Sequence, residues 1–164
     1  MSDDPLHLYL EDHLAGAESA IALLRRLRDE HSALPLGRFA SEMLLQVEED
    51  HRTLEDFARR VADGPHPVKN AVAKLAEKVS RPKLSHRTSG PIGVLESLEF
   101  LALGVWGKRA LWRALKAAQG GDSGLGALNL DRLISRAETQ HNRVEERRLE
   151  AARESLTRTP SASR

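Results

Sequence analysis

Apolar residues recur every three or four positions in four long stretches, the period of a helix that buries one face. The first stretch follows Asp4 and Pro5, a typical helix-start pair. The second follows a break at residues 34–37 and ends at Gly64 and Pro65. The apolar stripe of the second stretch is Ala40, Leu44, Val47, His51, Leu54, Ala58 and Val61. One of its positions is therefore a histidine.

The third stretch begins after Pro91, ends near Ala118 and is apolar nearly all round between Leu98 and Trp106. Such a helix needs cover on more than one side, from its neighbours plus either the middle connection or a second copy of the chain. A homodimer is one arrangement that this predicts. The fourth stretch again has a histidine in its stripe and fades after Ala152; the stripe is Leu130, Ile134, Ala137, His141 and Val144.

A long connection separates the second and third stretches, from Pro65 to Gly90. It is rich in basic and turn-forming residues, and one short amphipathic helix is predicted over Val68, Val72, Leu75 and Val79. Two helix pairs joined in this way predict an all-α four-helix bundle with one long crossover containing a short extra helix. Residues 1–156 are predicted to form this single domain, followed by a flexible tail, residues 157–164.

The composition of the chain excludes several classes of function. The 164 residues include 25 Lys and Arg against 24 Asp and Glu, a net charge of +1, so no nucleic-acid partner is expected. The run Lys108, Arg109, Arg113 and Lys116 is interpreted as cations that offset the dipole of the third helix. Cysteine is absent, which excludes thiolate metal sites and iron–sulfur clusters. The acidic N-terminus and the lack of an apolar run of about 20 residues predict a cytoplasmic protein with no membrane partner.

A ten-residue pattern occurs in both the second and the fourth stretch. Residues 47–56 and 137–146 share the order apolar, Glu, two variable residues, His, two variable residues, apolar and two acids. Residues three apart on a helix point the same way, so Glu48 with His51 and Glu138 with His141 can each bind one ion.

The flanking apolar residues predict that both glutamates and both histidines point inward or to the edge of the helix seam. Glu48 lies four residues after Leu44, and Glu138 lies four after Ile134. The other two helices offer Glu18 and Glu99 in similar settings, each three residues before an apolar stripe position. Each helix is therefore expected to contribute one inward carboxylate.

This set resembles the ferritin-like di-iron carboxylate proteins, which include the rubrerythrins and bacterioferritins. In that group two helices give one Glu each and two give a Glu-x-x-His pair. The resemblance implies two iron ions, with manganese or zinc as alternatives, and a reaction with oxygen or peroxide in an oxidase, peroxidase or iron-handling role. If the chain is an enzyme, it is expected to be a di-iron oxidoreductase. The implied ligands are Glu18, Glu48, His51, Glu99, Glu138 and His141, with Glu96 as an alternative or additional one.

Two alternatives to this metal hypothesis stay open. Carboxylates in a core must be neutralised, and arginines can do this instead of ions. The candidates are Arg25, Arg109 and Arg148, and the result would be a metal-free bundle acting as a structural or partner-binding module. A monooxygenase acting on an organic substrate would require a pocket beside the metals.

Overall fold

Four long α-helices form the described part of the protein. The computed structural model describes residues 4–62, 88–119 and 128–157. The helices are α1 (Pro5–Glu30), α2 (Pro35–Ala62), α3 (Pro91–Ala117) and α4 (Leu130–Leu156), and these ranges contain no strand. The predicted all-α class with four long helices is confirmed. No helix in the described ranges is both long and apolar enough to cross a membrane.

The helix starts are set by local chemistry. The Asp4 carboxylate accepts a hydrogen bond of 3.0 Å from the Leu6 amide, and the Asn129 side chain accepts one of 3.0 Å from the Arg132 amide. Both side chains satisfy amides that have no partner within the helix. Gly90 precedes α3 with φ at +84°, a conformation that favours glycine. The predicted start at Asp4 and Pro5 is confirmed.

The turn between α1 and α2 depends on a close backbone approach. A Cβ atom added at Gly37 would lie 2.2 Å from the carbonyl oxygen of His31. Only glycine fits there without movement of the main chain. This turn reverses the chain and holds α1 and α2 together as an antiparallel pair.

Two apolar clusters, one near each end of the bundle, show the helix directions. Phe39 and Leu95, near the starts of α2 and α3, belong to one cluster, whereas Phe57 and Leu111 belong to the other. Helices α2 and α3 therefore run in the same direction. Helices α1 and α4 run the opposite way, because each begins in the second cluster and ends in the first. The predicted crossover and its short helix lie outside the described residues.

The four helices are not packed equally. α1 packs mainly against α2, and α3 packs mainly against α4, while α1 and α3 approach each other over a smaller area. The bundle is thus two helix pairs. Polar side chains link α2 to α4, and an open cleft lies between α1 and α3.

Candidate functional site

The inward position of the repeated segments is one residue before each histidine. In α2 the buried residues are Val47, Asp50 and Leu54, and in α4 they are Ala137, Gln140 and Val144. Asp50 and Gln140 occupy equivalent positions of the ten-residue pattern. Steps of three and of four residues both keep to one helix face, and here packing selects the step of three.

The expectation that each helix contributes an inward carboxylate is wrong for α3 and α4. The side chains of Glu99 and Glu138 are 50% and 48% exposed, and Glu96 is also exposed. Glu48 and Glu138 lie at the edge of the inner face, a position that the pattern also allowed, because Asp50 and Gln140 occupy its centre. Glu18, Glu48, His51 and His141 are partly buried.

Four polar residues from three helices, two of them buried and two partly buried, form a cluster at this centre, referred to below as the Asp50 cluster. It comprises Asp50, Lys108, Arg136 and Gln140. The Asp50 carboxylate is 2.5 Å from the Lys108 ammonium and 3.1 Å from Nε of Arg136, and it accepts a 3.0 Å hydrogen bond from the Gln140 amide. Lys108 also donates to the Gln140 amide oxygen. Each of the four side chains thus has a partner within the cluster.

The charges of the Asp50 cluster balance once Glu49 is included. Arg136 lies between two carboxylates, since its Nη2 donates to Glu49 at 2.7 Å. That hydrogen bond is the main reason why the pKa of Arg136 is raised. Burial lowers the pKa of Lys108, and the attraction of Asp50 opposes this shift. Two cations and two carboxylates therefore meet on the seam between α2, α3 and α4.

This cluster is not predicted from the sequence, although one signal for it is present. The repeat itself aligns Asp50 with Gln140, and each of them lies three residues after one buried apolar residue and four residues before the next. The interpretation of Lys108 as part of a basic run that offsets the helix dipole is wrong for this residue. Its side chain is only 14% exposed and points to Asp50 because α3 presents that face to α2 and α4.

Three predicted metal ligands line one surface groove between α1 and α2. Glu18, Glu48 and His51 line it together with Arg25 and Arg52, around a volume of about 480 Å³. Nη2 of Arg25 lies 2.8 Å from the Glu48 carboxylate. The groove therefore already holds a cation that neutralises one of its two glutamates.

The other predicted ligands lie on the α3–α4 pair. Arg109 contacts Glu138 at 2.8 Å, and Arg148 contacts Glu99 at 3.5 Å. Arg148 also binds Glu145 at 2.6 Å, and this hydrogen bond is the main cause of the lowered pKa of Glu145. Each of the three arginines named as alternatives to metal thus contacts a predicted glutamate.

The donors do not converge in this arrangement. Within residues 4–62, 88–119 and 128–157, no three or more His, Asp or Glu side chains form a group placed to hold a metal ion. The six predicted ligands are divided between the α1–α2 pair and the α3–α4 pair. As they stand, these residues do not fit a di-iron centre, and the metal site stays a prediction.

An apolar cleft of about 340 Å³ lies between α1, α2 and α3. Its walls are mostly hydrophobic, and its polar lining residues are Asp12, His13, Asp50, His51 and Lys108. Two lining residues have a buried nitrogen without a hydrogen-bond partner among the described residues, namely His51 at Nε2 and Trp112 at Nε1. Burial lowers the pKa of His13, and the neighbouring Asp12 opposes this shift.

Glycines account for the open space. Gly16 of α1 and Gly104 and Gly107 of α3 all line the cleft, and a Cβ added at any of them would meet nothing within 4 Å. The two helices therefore leave room where side chains would otherwise fill the gap. No sequence signal predicted this cleft, because the glycines lie inside helical patterns without a turn.

Comparison with known proteins gives no relative. No protein-family model, no curated protein and no solved structure matches the chain at a significant level. The resemblance to the ferritin-like di-iron proteins is therefore a prediction carried by six or seven residues. Any functional conclusion has to come from the geometry of the bundle itself.

Proposed function

We propose that this chain is a metal-independent helical bundle that binds a small amphipathic molecule in the cleft between α1 and α3. The observation that carries the proposal is the cleft itself, an apolar space with unpartnered nitrogens in its lining. Apolar pockets with a few convergent polar groups and a perturbed pKa are the usual form of small-molecule sites. The arginine contacts to Glu48, Glu99 and Glu138 support independence from metal.

The size of the cleft suggests the size of the ligand. Its volume of about 340 Å³ is roughly twice that of a ~150 Å³ protein cavity that takes benzene. It also lies at the lower end of the range of about 300–1,000 Å³ for ligand pockets. A two-ring aromatic compound or a medium-length alkyl chain fits this space.

The polar groups suggest the head group. The indole N–H of Trp112 can only donate, and it has no acceptor among the described residues. Lys108 carries three N–H groups, of which Asp50 and Gln140 engage two. A carboxylate or carbonyl on the ligand would accept from these donors. The expected ligand is therefore an apolar body with one accepting head group.

A cleft-filling substitution tests the proposal with 2-naphthoate as the probe. Gly16→Leu places a side chain in open space, so the variant should fold, and the loss of a helical glycine should stabilise it by about 0.5–1 kcal/mol. We expect saturable binding of 2-naphthoate to the wild type by calorimetry, and at least tenfold weaker binding to Gly16→Leu despite a higher Tm.

Ala15→Leu is the matched control, because Ala15 is exposed on the same helix and does not line the cleft. It should bind the probe like the wild type. Naphthalene without the carboxylate should bind more weakly than 2-naphthoate. Equal binding of 2-naphthoate to Gly16→Leu and Ala15→Leu would place the probe elsewhere and refute the proposal.

The predicted di-iron function is a second candidate, favoured by one observation. Glu18, Glu48 and His51 line the same groove, which gives half of the predicted ligand set in one place. If this candidate were right, protein from iron-supplemented growth would contain about two metal ions per chain, and His51→Ala and His141→Ala would lose them. We expect no stoichiometric metal and no difference between these variants and the wild type.

A further inference from the structure

The outer face of α3 has a regular stripe of exposed positions. Their spacing alternates between four and three residues, which is the seam spacing of helices that pack along their length. All positions are exposed except Ala110, which is half-buried. The stripe, referred to below as the outer stripe, is Ile92, Glu96, Glu99, Leu103, Trp106, Ala110, Arg113 and Ala117.

The centre of the outer stripe is strongly apolar. Leu103 is 72% exposed and Trp106 is 57% exposed, which makes them the two most exposed large apolar side chains of the stripe. Exposed apolar groups that lie together commonly mark an interaction surface. α3 was expected from its sequence to need cover on more than one side, and α1, α2 and α4 leave this face open.

The charges of the outer stripe differ between its two ends. Glu96 and Glu99 lie toward the start of α3, and Arg113 lies toward its end. Neither Glu96 nor Arg113 forms an ion pair with another residue of the described ranges, whereas Glu99 contacts Arg148 at 3.5 Å. The stripe is therefore acidic, then apolar, then basic along the helix.

This order is self-complementary when the helix meets a second, antiparallel copy of itself. With a twofold axis between Leu103 and Trp106, Leu103 packs against the partner's Trp106, and Glu96 lies opposite the partner's Arg113. Ile92 then lies opposite the partner's Ala117. A parallel pair in the same register would instead place Glu96 and Glu99 against their own copies, which is unfavourable.

We propose that the chain forms a twofold symmetric dimer through the outer stripe of α3, with the two α3 helices antiparallel. A second copy is the occupant that matches the order of charges, and twofold dimers use the same patch on both subunits. Leu103 also lines the α1–α3 cleft, so the partner's Trp106 borders that cleft in the dimer. The proposal does not depend on ligand binding.

Charge reversal tests the pairing in the full chain. Glu96→Lys and Arg113→Glu should each weaken the dimer by roughly tenfold in Kd, because each breaks two symmetry-related pairs and adds repulsion. The double variant Glu96→Lys/Arg113→Glu restores opposite charges across the axis and should dimerise like the wild type. Sedimentation equilibrium over a range of concentrations measures all four proteins.

Glu154→Lys is the matched control, since Glu154 is exposed on α4 and outside the stripe. It should leave the Kd unchanged. All substituted positions are exposed, so circular dichroism should show the same helix content throughout. A monomeric wild type, a dimer insensitive to both single variants, or a double variant no better than the singles would each overturn the proposal.

The absence of cysteine allows a direct test of the helix direction. Positions 96 and 113 of one helix are about 25 Å apart along its axis. In an antiparallel dimer, a mixture of Glu96→Cys and Arg113→Cys chains should form a disulfide-linked dimer on oxidation, whereas neither variant alone should. Cross-linking of either variant with itself would contradict the antiparallel arrangement.

Discussion

The Asp50 cluster and the arginine–glutamate pairs at the bundle surface use the same chemistry in different surroundings. Asp50 is 4% exposed and contacts Lys108, Arg136 and Gln140. Glu138 is 48% exposed, and Arg109, at 2.8 Å, is its one ionic partner among the described residues. Both carboxylates have cationic partners at short distance, yet only one of them is removed from water.

The two regions differ in how strongly stability depends on each ionic contact, because only the Asp50 carboxylate is removed from water. A carboxylate in the core has lost its hydration, so removing a partner leaves a charge that water cannot reach. At the surface, water replaces a lost partner, so the ion pair contributes little to the free energy of unfolding. The short distances alone therefore say little about stability, and the number of partners around Asp50 reflects what its burial requires.

Asp50→Ala should produce the largest effect. The substitution leaves the Lys108 ammonium buried without its counter-charge, and we expect the free energy of unfolding to fall by about 3–5 kcal/mol. Urea denaturation followed by circular dichroism measures this. The control is Glu49→Ala, which removes the neighbouring exposed carboxylate from Arg136 and should cost far less. Similar losses for both variants would show that burial does not distinguish the two regions.

Gln140→Leu should have the next largest effect. It removes the amide that bonds to both Asp50 and Lys108 but leaves the ion pair in place, so we expect a loss of about 1–3 kcal/mol in urea denaturation. Asn142→Leu makes the same chemical change at an exposed position of α4 and should stay within about 0.5 kcal/mol of the wild type. A more stable Gln140→Leu would mean that the cluster is better replaced by apolar packing.

The surface pair Arg109–Glu138 should be weak. A double-mutant cycle with Arg109→Ala, Glu138→Ala and the double variant should give a coupling energy of about 0.2–1 kcal/mol from thermal unfolding. The coupling should decrease further at high salt, because exposed charges are screened. A coupling energy as large as the loss of unfolding free energy in Asp50→Ala would show that surface and buried ion pairs contribute equally to stability.

We expect the smallest effect on stability at His13, and this effect should depend on pH. Burial lowers its pKa below the usual value of about 6.5, so the unfolded chain binds this proton more readily than the folded chain. The contribution of His13 to stability should therefore fall as the pH decreases through about 6.5 and level off below its folded pKa.

The His13→Gln variant isolates this effect, because it cannot bind the proton. We expect unfolding free energies measured between pH 7.5 and pH 5 to decline less steeply for His13→Gln than for the wild type. Equal slopes would indicate that the ring of His13 is hydrated in the folded protein.

The helices could be predicted from the sequence because the signals are local. The four apolar stripes lie within four continuous stretches, and Asp4 with Pro5 marks the start of α1. The repeat also aligns Asp50 with Gln140, although it does not show that they are in contact. The prediction from sequence places His51 in the apolar stripe of α2, whereas the structure buries Asp50. Both residues are compatible with the stripe that Val47 and Leu54 define.

The cleft and the predicted metal site could not be judged from the sequence. The cleft requires Gly16 on α1 to lie opposite Gly104 and Gly107 on α3. The periodicity of each helix does not predict which of its faces contacts which face of another helix. The predicted ligands lie on four different helices, but their convergence depends on the rotation of each helix about its axis. In the structure these rotations bring Asp50, and not Glu48, to the centre.

Helix α2 begins at Pro35, inside the break that the sequence predicts at residues 34–37. The sequence alone nevertheless predicts four helices, the start of α1 and the correspondence between the segments around His51 and His141. Local periodicity and capping are sufficient for this, because they involve residues within one or two turns. That Asp50 and Gln140 are the buried members of those segments follows from the packing of the helices against one another. Steps of three and four residues deviate from the stripe by about 60° and 40° on opposite sides. For Asp50 on α2, the choice between them depends on Lys108 of α3 and Arg136 of α4, which both contact its carboxylate.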